Sequence, residues 1–109
     1  MKLVGIEWDD DKNELNKREH EGLGFEDAQY VFADPERLER PDRSVGNTSG
    51  EERWQTLCIQ DGVKVKVFVV YTERGENKRI ISARIAEKHE RRSYNGYYQI
   101  DGKGWRKAT

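Results

Sequence analysis

The chain has 109 residues, of which 38% are charged and 34% are hydrophobic. This length is typical of one domain, and the clustering of the apolar residues argues against an intrinsically disordered chain. The formal net charge of −1 excludes a uniformly basic nucleic-acid binder.

The N-terminal part of the sequence predicts a strand followed by a polar helix. Residues 3–8, "LVGIEW", have the apolar character of a short strand. Asp9 is placed to cap the next helix, because a carboxylate at this position accepts hydrogen bonds from free backbone N–H groups. We expect this helix to run to about Glu19 or His20, with few apolar residues to pack against the rest of the protein.

A second helix is predicted over residues 25–33. Gly22 and Gly24 interrupt the chain before it, and Pro35 ends it. An apolar stripe gives it one buried face, formed by Phe25, Ala28, Val31 and Phe32. Residues 35–52 are polar and rich in turn-forming residues, and we expect a loop there with a short strand near residues 37–40.

The second half of the sequence predicts an antiparallel meander. Residues 53–59, 63–71 and 78–85 are apolar or alternate between apolar and polar, as strands do. The Asp-Gly pair in "QDG" is a strong hairpin signal between the first two of these strands. We predict that residues 86–94 form a helix that packs back on the sheet.

These elements indicate an α+β fold with a small, mostly antiparallel sheet, two N-terminal helices and one C-terminal helix. Residues 1–94 are expected to form the domain. Residues 95–109, which carry Tyr97, Tyr98 and Trp105 between glycines, are expected to form a C-terminal extension that docks on the domain or binds a partner.

Several classes of site have no support in the sequence. Cys58 is the single cysteine, so the chain has no internal disulfide. No Cys/His spacing of a zinc site, calcium loop or phosphate-binding glycine loop is found, and we expect no metal and no cofactor. No segment approaches the length of a membrane span, and the N-terminus does not resemble a signal peptide, so a cytoplasmic protein is expected.

Polar residues near the ends of the predicted elements suggest chemistry on RNA. Residues 38–109 contain 15 bases and 10 acids, which allows a locally basic face. RNA is cut without a metal when the ribose 2′-OH attacks the adjacent phosphate, which requires proton carriers and cations beside the developing charge. Structural roles explain the same residues equally well, since Arg84 and Glu90 can form an ion pair and His20 can end a helix.

An ordered set of motifs resembles the BrnT family of type II toxins over roughly residues 6–94. "EWDDDKNELNKREH" is similar to the pattern E-W-D-x-x-K-x-x-x-N-x-x-[KR]-H, and "GFEDAQYVFADP" is similar to F-E-E-A-x-x-V-F-x-D-P. The motifs "EERW", "VFVVYTERG", "RIISAR" and "ERRSY" follow in order. Two departures are present: Glu19 replaces the basic residue before the histidine, and the turn "HEGLGF" is one residue longer.

The resemblance implies a fold similar to that of the RelE ribonucleases. It also implies a metal-independent ribonuclease that inhibits translation and is neutralised by BrnA, an antitoxin with a ribbon-helix-helix DNA-binding part. The toxin would reach operator DNA only through this antitoxin. A non-catalytic module that binds the antitoxin or nucleic acid is the alternative.

Carried onto the matching positions, the resemblance assigns a candidate site. The expected catalytic residues are His20, Arg84, Glu90 and Tyr94, with His20 and Glu90 as proton carriers, Arg84 on the phosphorane and Tyr94 orienting or stacking on the substrate. The expected substrate-binding residues are Lys12, Arg53, Arg79 and Arg91.

Overall fold

A computed structural model describes residues 2–43, 51–60, 65–88, 90 and 104–108. Its centre is a six-stranded sheet of order β1-β5-β4-β3-β2-β6. The strands are β1 (Ile6–Trp8), β2 (Leu38–Pro41), β3 (Arg53–Gln60), β4 (Val65–Arg74), β5 (Asn77–Ile85) and β6 (Arg106–Lys107). The helices are α1 (Asp10–Glu19), α2 (Phe25–Ala28) and a 3₁₀ helix, Gln29–Ala33. No helix among these residues is long and apolar enough to cross a membrane.

The predicted meander is confirmed, since β3, β4 and β5 pair antiparallel in sequence order. Arg74 lies opposite Asn77, which leaves Gly75 and Glu76 as a two-residue hairpin loop. Gly75 has a φ of 60°, and tight hairpin loops require a positive value that glycine adopts without strain. The Asp-Gly pair at 61–62 lies outside the described residues. The short strand expected near residues 37–40 is confirmed as β2.

The predicted fold class is wrong in its sheet and in its helices. The sheet is mixed, because β1 joins β5 in parallel, and the second helix becomes 3₁₀ after Ala28. A three-residue strand does not encode its pairing direction, which is set here by contacts beyond β1. The expected arrangement of three helices is not found in the described part of the chain, and residues 89 and 91–94 of the predicted C-terminal helix lie outside it.

Two apolar clusters lie on opposite faces of the sheet. We call the first face the helical face, because α2 and the 3₁₀ helix cover it with fully buried Phe25, Ala28 and Val31, packed on sheet residues such as Ile80 and Ala83. We call the second the tail face, because Trp105 from the C-terminal segment covers its cluster of Leu38, Leu57, Phe68 and Ala86. The described residues of the C-terminal segment therefore contribute to the core.

Strand β5 contains a β-bulge that changes which residues share a face. Val70 lies opposite Ser82 and Tyr71 lies opposite Ile80, so Ile81 has no direct partner on β4. An extra residue in one strand inverts the alternation of side chains beyond it. Ile80 and Ala83, which are three residues apart, consequently both reach the helical face.

The side chain of Asn16 joins α1 to the free edge of β5. Beyond the end of β1, the Asn16 amide donates to the Ala83 carbonyl at 2.8 Å and accepts from the Ala83 N–H at 3.1 Å, as a neighbouring strand would. It also donates to the Leu23 carbonyl at 3.0 Å. Asn16 is buried, and its two hydrogen bonds with Ala83 form away from bulk water, whereas the one to Leu23 is partly buried. One side chain thereby fixes the helix, the following turn and the strand that carries Arg84.

Replacing Asn16 with alanine is expected to lower the free energy of unfolding by about 2–4 kcal/mol, because two buried backbone groups of Ala83 and the partly buried carbonyl of Leu23 lose their partner. Urea denaturation followed by circular dichroism measures this change. Leu15→Ala is the matched control, since Leu15 lies on the same helix with 46% of its surface exposed. A loss for Asn16→Ala no larger than that of the control would contradict the bridging role.

Candidate functional site

A two-bonded ion pair between Arg84 and Glu90 lies at the end of β5. The two terminal nitrogens, Nη1 and Nη2, donate to the two carboxylate oxygens of Glu90 at 2.8 Å each. Glu90 is 2% exposed, whereas the side chain of Arg84 keeps 30% of its surface exposed. The carboxylate is therefore buried beneath the guanidinium, which faces the solvent.

Neighbouring groups hold this pair in one geometry. The Glu87 backbone N–H donates to Glu90 at 2.7 Å, and the guanidinium of Arg84 lies 4.0 Å from the centre of the Phe68 ring. The hydrogen bonds that Arg84 donates to Glu90, and the negative charge of Glu90, raise the pKa of Arg84 above its usual range. An arginine fixed on an aromatic ring and a carboxylate is a permanent cation of defined orientation, suited to contact with a phosphate.

His20 is positioned by the C-terminus of α1. It is the C-cap residue, and its N–H donates to the Asn16 carbonyl at 2.9 Å. The Gly22 N–H then reaches back to the Lys17 carbonyl at 2.8 Å, the six-residue hydrogen bond of a Schellman motif. Glu21 occupies the left-handed position with a φ of 55°. The lengthened turn seen in the sequence thus ends the helix and fixes the backbone of His20.

His20 and Arg84 line one open cavity of about 230 Å³. The helix end contributes His20, and the end of β5 contributes Arg84 and the half-exposed Ile85. The remaining lining residues are three carboxylates, Glu19, Glu21 and Glu87. An imidazole and a guanidinium thus share a solvent-open cavity whose rim is acidic.

Two other predicted cations, Arg79 and Lys12, lie away from this cavity. Arg79 is paired with Glu7 at 3.2 Å. The pKa of Asp9 is lowered by hydrogen bonds from the backbone N–H groups of Lys12 and Asp11 and by the positive charges of Arg79 and Lys12, so both cations lie near Asp9. This places them at the N-terminal end of α1, whereas His20 lies at its C-terminal end. About 15 Å of strand separates Arg79 from Arg84. Lys12 is exposed at the start of the helix.

Three of the predicted arginines nevertheless share the tail face. Arg53 lies opposite Thr72, and Thr72 lies opposite Arg79. Strand β4 alternates regularly, so Thr72 points to the same face as Phe68, the partner of Arg84. The Nε atom of Arg53 is buried without a hydrogen-bond partner among the described residues.

Sequence reasoning missed the bulge and the residues that support Arg84. Arg79 and Arg84 are five residues apart, which in a regular strand puts them on opposite faces. Phe68 was one apolar residue in a continuous apolar strand, and no local signal distinguished it. The predicted site residues Arg91 and Tyr94 lie outside the described residues.

A larger cavity of about 300 Å³ lies at the other end of the sheet and has a different character. Its lining includes three glutamates, Glu51, Glu52 and Glu73, beside Trp54 and Thr72. These carboxylates disfavour a phosphate inside the cavity itself, and its lining does not include Arg53 or Arg79. Within the described ranges, no group of three or more His, Cys, Asp or Glu side chains is arranged to hold a metal ion.

These features define a small charged domain whose arginine-carboxylate pair and histidine meet at a cavity. Comparison with protein families identifies the class, since the model of the family described as ribonuclease toxin, BrnT, of type II toxin-antitoxin system matches residues 8–90. The match covers most of the chain, and the protein belongs to the BrnT family. It is a ribonuclease toxin of a type II toxin-antitoxin system, which implies an antitoxin partner. Among the curated proteins, no match was found.

The burial of Glu90 predicts an asymmetry between two substitutions. Arg84→Ala should lower the free energy of unfolding by about 2–4 kcal/mol, because it leaves a buried carboxylate without its cation. Glu90→Gln should cost about 1–2 kcal/mol, since the partly exposed guanidinium keeps access to water. Chemical denaturation at neutral pH measures both values.

Glu87→Gln is the matched control, because the Glu87 side chain is 63% exposed and lies 3.9 Å from Arg84. Equal effects of Arg84→Ala and Glu87→Gln would contradict the buried pair.

Proposed function

We propose that this toxin cuts RNA without a metal ion, by attack of a ribose 2′-OH on the adjacent phosphate. The oxygen of the attacking hydroxyl forms a new bond to phosphorus, and the 5′ oxygen of the next nucleotide leaves. The products are a 2′,3′-cyclic phosphate and a 5′-OH end. The observation that carries the proposal is the oriented Arg84 guanidinium in the same open cavity as His20.

Arg84 stabilises the charge that develops on the phosphorane. Its two terminal nitrogens are held by Glu90, so the guanidinium need not reorganise when the charge forms. Its stacking on Phe68 fixes the plane of the guanidinium. A cation that is already oriented stabilises a transition state more than a mobile one does.

His20 transfers one proton in this scheme, either from the 2′-OH or to the leaving oxygen, and solvent water in the open cavity carries the other. An imidazole exchanges protons near neutral pH, and His20 faces the cavity that holds Arg84. Glu90 takes a different role from the one the sequence suggested. Both of its oxygens accept hydrogen bonds from Arg84 and it is 2% exposed, so we assign it to positioning Arg84.

The other arginines of the tail face hold the rest of the RNA strand. Arg53 and Arg79 lie on the face that also carries Arg84, at the opposite end of the sheet. We infer that they bind phosphates of flanking nucleotides, since arginine donates hydrogen bonds in pairs. Lys12, at the start of α1, is the more peripheral candidate, and Arg91 and Tyr94 keep their proposed substrate-binding and orienting roles.

We further propose that the antitoxin partner is BrnA-like, with a ribbon-helix-helix DNA-binding part. In this arrangement the toxin contacts operator DNA only through its antitoxin. The net charge of −1 supports the assignment of DNA binding to the antitoxin, because a protein that bound DNA by itself would need an excess of basic residues.

A second candidate function is a non-catalytic module that acts by binding its antitoxin. The acidic rim formed by Glu19, Glu21 and Glu87 favours it, because these carboxylates repel phosphate and attract a basic peptide segment. A purified chain that leaves bulk RNA intact while binding the antitoxin tightly would support this function over the first.

Cleavage in EDTA tests the proposed reaction. The purified wild type should cut bulk RNA and leave 2′,3′-cyclic phosphate ends. Arg84→Lys should lower the cleavage rate by about 100-fold, because a lysine cannot reproduce the paired contacts. His20→Ala should lower it by about 100-fold or more, because a proton carrier is lost. Gel electrophoresis and end-group analysis measure both effects.

Arg74→Lys is the matched control, because Arg74 is 52% exposed and pairs with Glu51 away from the cavity. Its rate should equal that of the wild type. Wild-type protein that cuts RNA only when a divalent metal is present would overturn metal independence. An Arg84→Lys rate equal to the control would remove Arg84 from the mechanism.

A further inference from the structure

Trp105 lies beyond the segment that matches the family, yet it is part of the protein core. The family match ends at residue 90. Trp105 is 3% exposed and packs with Leu38, Leu57, Phe68 and Ala86 on the tail face. A buried tryptophan contributes a large apolar contact area, so this part of the C-terminal segment is held firmly against the domain.

Short but regular contacts hold the C-terminal segment in place. Strand β6 pairs antiparallel with the edge strand β2, with Leu38 opposite Lys107 and Glu39 opposite Arg106. The Ala108 N–H donates to the Arg37 carbonyl at 3.1 Å. These backbone contacts of residues 106–108 therefore hold the neighbouring Trp105 over the sheet.

Trp105 belongs to a stack of four side chains that ends at the candidate catalytic arginine. The Arg40 guanidinium lies 4.2 Å from the centre of the Trp105 indole. The indole meets the Phe68 ring edge to face, with ring centres 6.2 Å apart and an angle of 89° between the rings. Phe68 in turn lies 4.0 Å from the guanidinium of Arg84.

We propose that Trp105 is a positioning residue for catalysis: it fixes the Phe68 ring, which fixes the plane of the Arg84 guanidinium. This inference rests on the proposed role of Arg84 in the reaction. Glu90 restrains the two terminal nitrogens of Arg84, while the ring restrains the tilt of the guanidinium about the line that joins the pair. Both restraints are needed to define the orientation of a planar group.

Removal of the indole frees the Phe68 ring, because a cavity replaces its edge-to-face partner. The Arg84 guanidinium then loses the fixed ring on which it packs but keeps its ion pair with Glu90. Catalysis is sensitive to displacements of about 1 Å, which cost up to 100-fold in rate. We therefore expect a loss of rate that exceeds the loss of RNA affinity.

Trp8 offers a matched control on the helical face. Its indole meets Phe25 edge to face with ring centres 6.1 Å apart, and Lys2 lies 4.8 Å from its ring centre. Trp8→Phe and Trp105→Phe therefore remove similar contacts from similar surroundings. Circular dichroism and urea denaturation establish that each variant is folded under the assay conditions.

The test compares the single-turnover rate of RNA cleavage in EDTA and the dissociation constant of an uncleavable 2′-deoxy-substituted strand. Trp105→Ala should lower the rate by about 10- to 100-fold with little change in the dissociation constant, and Trp105→Phe should recover most of the rate. Trp8→Phe should match the wild type. In an Arg84→Lys background, Trp105→Ala should cost little more, because the two residues act through one group.

A second readout separates failure of this inference from failure of the proposed function. The Nε–H signal of Arg84 in a ¹⁵N-labelled protein reports its orientation whether or not RNA is cut. Trp105→Ala and Phe68→Leu should shift this signal, and Trp8→Phe should leave it unchanged. An unshifted signal with an unchanged rate would overturn the positioning role. A wild type that fails to cut RNA, with the expected shifts present, would overturn the proposed function alone.

Discussion

The extra residue in β5 is the constraint on which the candidate site depends. Because Ile81 has no partner on β4, the alternation of side chains inverts between Arg79 and Arg84. Ile80 and Ala83 then both enter the core of the helical face, and Arg79 and Arg84 both point to the tail face. A regular strand would bury one of these arginines or expose one of the core residues, so the bulge serves packing and the site together.

Beyond the end of β1, the edge of β5 is held by a side chain instead of by a neighbouring strand. Asn16 satisfies the N–H and the carbonyl of Ala83 where β1 has ended. Because His20 lies one turn later on the same helix, the contact that closes the sheet edge also sets the distance between His20 and the end of β5. The contact between Asn16 and Ala83 therefore contributes both to the stability of the fold and to the geometry of the cavity.

On the tail face, stability and the proposed function also depend on one another. Burying Glu90 is unfavourable unless the carboxylate is paired, and Arg84 provides the pair. The cost of dehydrating Glu90 is offset by a cation of fixed orientation, supported from below by Phe68 and Trp105. The C-terminal segment lies beyond the part of the chain that matches the family, and its Trp105 completes the support of Arg84.

Parts of the fold and the site were predictable because they depend on local chemistry. The capping by Asp9 follows from the residue type and its place before the helix, and the meander follows from alternation and turn residues. The parallel pairing of β1, the bulge at Ile81 and the bridge formed by Asn16 all depend on contacts between distant segments. The pairing of Arg84 with Glu90 was one of two open interpretations, since spacing alone does not show which face each residue occupies.

The central claim is that RNA binds across the tail face, with Arg84, Arg79 and Arg53 in contact with it. The most direct measurement follows the arginine Nε–H signals of the ¹⁵N-labelled protein during titration with an uncleavable 2′-deoxy-substituted RNA strand. The account predicts that the signals of these three arginines shift together, while that of exposed Arg18 on α1 stays in place. A shift of the Arg18 signal, with the signals of Arg84, Arg79 and Arg53 unchanged, would contradict this binding mode.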